Sequence, residues 1–104
     1  MYRPLITFAF LVLTSSIFSQ NFGSLKGKVL NSETGFPLEG ATIIVEDSDF
    51  FAISDQNGFF QILDLPTTSY NITTSFIGFK SQTNFNVIVK SVGNQSLDYT
   101  LSPL

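Results

Sequence analysis

From Leu25 onward, apolar and polar side chains alternate along the chain with a period of two. In Leu25-Lys26-Gly27-Lys28-Val29-Leu30, the residues Leu25, Gly27 and Val29 share one face and both lysines the other. That period belongs to a half-buried β-strand. Ala41-Thr42-Ile43-Ile44-Val45-Glu46 repeats the pattern in a β-branched run, with Ala41, Ile43 and Val45 on one face and Ile44 on the other. Phe60 and Ile62 oppose Phe59 and Gln61. Tyr70 to Phe76 and Asn84 to Lys90 read as further strands, and Ser96 to Leu101 closes the series with Leu97, Tyr99 and Leu101 inward.

The breaks between these runs carry turn chemistry. Asn31-Ser32-Glu33-Thr34-Gly35 and Asp47-Ser48-Asp49 are turn clusters, and Pro37 bars its segment from the middle of a ladder. Ser54-Asp55-Gln56-Asn57-Gly58 contains an Asn-Gly pair, which accepts positive φ cheaply. It predicts a hairpin whose arms are Phe50 to Ile53 and Phe59 to Ile62. Leu63 to Ser69 is expected as a loop with its two leucines tucked against the sandwich, and Ile77-Gly78-Phe79 as a bend. No helical period survives past residue 20. Short strands with turns every eight to twelve residues predict an all-β sandwich.

The first twenty residues follow another rule. A short positive end with Arg3 precedes an apolar run from Leu5 to Leu13 broken only by Thr7, and small and polar residues close it. This is the layout of a secretory signal peptide. Residues 1–19 are therefore expected to be removed after Ser19, leaving a single domain over 20–104. The run is shorter than the roughly 20 apolar residues that span a bilayer. Without Arg3, four Lys face eight acidic residues, a net charge of −4. An acidic domain without a basic patch is repelled by phosphate backbones, which argues against a nucleic-acid partner. With no Cys there is no disulfide framework, and with no His there is no imidazole base or ligand.

Together these landmarks resemble the carboxypeptidase regulatory-like domain. The residues that carry the likeness are Gly27-Lys28-Val29, Thr34 to Ile43, Ser54 to Ile62, Leu65-Pro66, Tyr70-Asn71-Ile72, Phe76 to Lys80 and Leu97 to Leu101. The resemblance implies a transthyretin-like Greek-key β-sandwich of about seven strands and a non-catalytic accessory role. Phe76-Ile77-Gly78-Phe79-Lys80 looks most like the domain that precedes the plug of TonB-dependent outer-membrane receptors. The resemblance thereby implies export to the periplasm, outer membrane or cell surface of a Gram-negative bacterium. It also implies a protein partner or a linked receptor in the cell envelope. A free-standing module that binds protein or glycan, or a peptidase-associated regulatory domain, are the alternatives. Such a receptor would continue into its plug and barrel where this chain ends at Leu104. Asp47-Ser48-Asp49 and Ser69 stand where the family pattern has Gly-Thr and Gly.

Chemistry in the side chains is sparse. The acidic turns offer oxygen ligands, but a calcium site wants six to eight of them, and no Glu follows at loop spacing. Turn residues bonding their own backbone explain the same letters, so no metal and no cofactor is expected. An internal isopeptide bond, as in pilin domains, needs a Lys buried beside a carboxyl. Lys26, Lys28, Glu46 and Asp98 all fall on the parity that faces water. Hydroxyls lack a histidine base, and every carboxylate lies in a turn or on an outward face, so no catalytic site is expected. What is left is apolar. Ile44, Phe59, Ile88 and one of Phe50 or Phe51 fall on the outward parity. Two readings stand: these side chains cover one another at the sandwich edges, or Ile44, Phe59 and Ile88 form a docking patch for a partner.

Overall fold

The computed structural model describes residues 21–92 and 95–104. The expected signal peptide lies outside the described residues, as does the end of the turn after Ser91. Seven strands form, and no helix occurs among the described residues: β1 (Phe22–Asn31), β2 (Thr42–Val45), β3 (Phe51–Ile53), β4 (Phe59–Pro66), β5 (Ser69–Ser75), β6 (Gln82–Ile88) and β7 (Tyr99–Leu101). They lie in two sheets, β4-β1-β7 and β3-β2-β5-β6. All strand pairs are antiparallel except β1 with β7. The fold is the expected seven-stranded β-sandwich.

The alternation read from the chain decides which side chains fill the space between the sheets. Leu25 and Val29 of β1, Ile43 and Val45 of β2, Phe60 and Ile62 of β4, Ile72 of β5, and Tyr99 and Leu101 of β7 are all buried. The Phe60 and Tyr99 rings meet at 6.2 Å between centroids. Two glycines permit close approach. A Cβ on Gly27 would stand 1.9 Å from the Leu97 carbonyl oxygen, so only glycine lets the segment leading into β7 lie against β1 there. Gly58 has φ +78°, a Cβ on it would meet the Val29 carbonyl oxygen at 2.6 Å, and its own carbonyl accepts the Val29 N–H at 2.8 Å.

The structure corrects the hairpin. Asp55 to Gly58 is a tight turn: Gly58 N–H donates to the Asp55 carbonyl, and the Asp55 side chain accepts from the N–H of Asn57 and of Phe59. Its two arms, however, belong to different sheets. β3 pairs with β2, and β4 pairs with β1. β3 is three residues long, whereas β1 matches β4 at six registered positions; the longer ladder takes the strand. The Asp55 N–H also donates to the Phe59 carbonyl, so the turn closes between these two residues and passes the chain from one layer to the other.

Two bulges also move boundaries. β4 runs on through Pro66 where a loop was expected, because an extra residue enters beside Gly23 to Leu25 with Asp64 at φ +58°. The bulge reverses parity, so Leu65 joins Phe60 and Ile62 in the core while Leu63 faces out. Only one of the two leucines tucks in. On β6, which begins at Gln82 rather than Asn84, a second bulge with Asn86 at φ +56° separates the Ile72–Asn84 and Tyr70–Val87 pairs.

One buried polar residue that alternation does not single out ties the layers together. Ser54 Oγ accepts the Ala41 N–H at 2.9 Å and donates to the Leu38 carbonyl at 2.6 Å. It holds the segment between β1 and β2 against the end of β3.

Candidate binding surface

The outward residues sort by sheet. Ile44 is 42% exposed and Ile88 57% exposed, both on the outer face of the four-stranded sheet. Phe59, 50% exposed, stands on β4 of the other sheet. Their outward parity is as expected, but the three share no single surface. Even Ile44 and Ile88 are separated, since Ile44 lies opposite Thr73 and Ile88 opposite Ser69 at the other end of β5. Beside Ile44, Thr73 Oγ1 bonds the Glu46 carboxylate and, at 2.8 Å, the Thr83 hydroxyl.

Ile44 has other neighbours. It pairs across the sheet with Phe51, and Phe51 shares its face with Ile53. Both are more exposed than Ile44 itself, at 61% and 59%. Of the two candidate phenylalanines, Phe51 is therefore the outward one, and Phe50 packs on the core. Ile53 was missed by reading β3 as a hairpin arm, although its parity with Phe51 carried the signal.

A concavity lies over the three-stranded sheet. It is a groove of about 720 Å³ whose lining includes Lys26, Lys28, Phe59, Gln61, Ser96 and Asp98, together with Ile53 and Asp55. The strand register builds it. On one side Lys28 pairs with Phe59 and Lys26 with Gln61. On the other, Lys26 bridges Ser96, and the parallel match of Val29 with Tyr99 brings Asp98 beside Lys28. The Lys28 ammonium sits 5.3 Å from the centroid of the Phe59 ring. That contact leaves Lys28 half-buried rather than fully in water, whereas Lys26, Glu46 and Asp98 are exposed as expected.

Neither tyrosine with a shifted pKa belongs to this groove. Burial pushes the Tyr99 phenol up, with the neighbouring Thr74 hydroxyl opposing; its O–H donates to the Ile72 carbonyl at 3.4 Å. Burial also raises Tyr70, whose O–H donates to the Pro66 carbonyl at 2.7 Å. Both serve the core. Among the described residues no three His, Cys, Asp or Glu side chains gather as a metal site would require.

Known structures share this architecture. A chain of a type II cohesin–X-dockerin complex from Acetivibrio cellulolyticus superposes with a TM-score of 0.66 at 18% identity, over 76% of this chain and 56% of that one. A candidate carbohydrate-binding protein from Bacteroides uniformis gives 0.61 at 17% identity, over 80% and 42%. The group B streptococcus pilus 2b backbone protein gives 0.57 at 14% identity, over 79% and 41%. At such identities the likeness concerns the fold, and this chain spans about half the length of these proteins. No curated protein matches the chain. A family model does match, over residues 25–103, from the first core residue of β1 to the Pro103 bridge. The chain belongs to the CarboxypepD_reg-like family, the carboxypeptidase regulatory-like domains.

Proposed function

We propose that this domain is a non-catalytic, exported binding module of a bacterial cell envelope, accessory to a TonB-dependent outer-membrane receptor. The observation that carries the binding role is the surface: half-exposed apolar side chains at Ile44, Phe51 and Ile53, and a groove around Phe59. Rigid strands support both. A sandwich that buries its core this completely has no structural need to leave such large apolar groups in water. The carboxylates lie in turns or on exposed faces, which supports a role without catalysis. The signal-peptide layout of residues 1–19 supports export, and the Phe76 to Lys80 stretch supports the link to receptors.

The second reading is a free periplasmic or surface module that binds protein or glycan. It is favoured by the groove, whose polar and aromatic lining is independent of any receptor. Antibodies raised against the chain separate the two in fractionated native cells. A species much larger than this chain in the outer-membrane fraction supports the receptor reading. A species of the size of the processed chain in the periplasm or at the surface supports the free module. An unprocessed chain in the cytoplasm refutes both.

A further inference from the structure

We infer that the groove over the three-stranded sheet is a saccharide-binding site, with Phe59 as the stacking platform and Lys26, Lys28, Gln61, Ser96 and Asp98 as the polar contacts. The inference rests on the reading of the chain as an exported binding module and gives that module a ligand class. Two rows cross the groove, Phe59–Lys28–Asp98 and Gln61–Lys26–Ser96. Lysine ammonium groups only donate, a carboxylate only accepts, and carboxamide and hydroxyl groups do both. Donors and acceptors thus stand at neighbouring register positions, and Ser96 donates to Asp98 at 3.3 Å, which suits a ligand whose own groups both donate and accept. Hydroxyls on a sugar ring have that property, and the ring's C–H face supplies the apolar surface for the part of the half-exposed Phe59 ring that the Lys28 ammonium does not cover.

The geometry disfavours the other ligand classes. β1 is the central strand of its sheet, and its backbone groups are engaged by β4 and β7. An extended peptide finds a free ladder only at the outer edges of β4 and β7, and across β1 it would have to be read by side chains alone. A polyanion meets Asp98 beside Lys28 and an acidic protein around both. The volume of about 720 Å³ lies in the range of pockets that take small ligands.

The test is a titration of the full chain, isotopically labelled, with defined neutral cello-, xylo- and manno-oligosaccharides, followed by amide chemical shifts. The expected result is saturable shifts at Lys26 to Lys28, Phe59 to Gln61 and Ser96 to Asp98 with at least one probe. Phe59→Ala should weaken that binding by about tenfold or more, as loss of an aromatic anchor does. Gln61→Ala, at an exposed position without a core contact, should weaken it with an unchanged thermal melt. No shift with any probe, shifts confined to β3 or β6, or undiminished binding by both variants would overturn the assignment. Cell fractionation tests the parent reading separately. Envelope-located protein that binds no saccharide removes this site alone, whereas cytoplasmic protein removes the parent reading.

Discussion

Phe59 and Phe60 are adjacent, chemically identical and on opposite sides of one strand, so replacing each in turn isolates the effect of facing. Phe60 is 4% exposed. Its ring lies against Tyr99 and over Gly27, which has no side chain to move into a void. Phe60→Ala should therefore leave most of its cavity unfilled and cost about 3–5 kcal/mol. A domain of this size has a total stability of roughly 4–12 kcal/mol, so the variant keeps little margin. Phe59 is half exposed and carries the Lys28 contact. Half of the full burial of such a side chain is about 1 kcal/mol, and an exposed cation–π contact adds about 0.5–1 kcal/mol. Phe59→Ser should thus cost about 1–2 kcal/mol and leave the domain folded. Urea melts measure both. With a slope near 1 kcal/mol per molar, the Phe60→Ala midpoint should fall by roughly 3 M or more, and that of Phe59→Ser by roughly 1–2 M. Equal falls would mean that Phe59 also faces the core, and would refute both the inside–outside assignment of β4 and the surface built on it.

Other perturbations address the polar interior. Ser54→Ala strands the Ala41 N–H and the Leu38 carbonyl and should cost about 1–3 kcal/mol, read as a lower urea midpoint with an unchanged slope. Thr74 is fully buried, with its hydroxyl beside the Tyr99 phenol but without a hydrogen bond of ordinary length, so Thr74→Val should change stability by about 1 kcal/mol or less; a loss of about 2 kcal/mol or more in urea melts would reveal a full hydrogen bond there. Burial raises the folded-state pKa of Tyr99 above its ordinary 10.0. Its contribution is complete below that value and declines as pH rises through it, because the unfolded phenol ionises first. Tyr99→Phe should remove part of the alkaline loss of stability, seen by comparing melts of the two proteins at pH 8 and pH 11.

The sequence alone determined facing. Strand side chains alternate with a period of two, so each run sorted itself: Leu25 and Val29 from Lys26 and Lys28, Ile43 and Val45 from Ile44, Phe60 from Phe59. Turn residues marked where the runs break, and the order of the landmarks pointed to the family. Pairing was decided only in three dimensions. A strand's partner is settled by which ladder is longer and by which inward faces fit, and both are properties of segments far apart in the chain. Hence β3 and β4, adjacent in sequence, ended in different sheets. The same cause dispersed Ile44, Phe59 and Ile88, since parity says which way a side chain points but not beside what. Bulges escaped for a related reason: Asp64 and Asn86 take positive φ to accommodate a neighbouring strand, and a local reading of the chain contains no neighbouring strand.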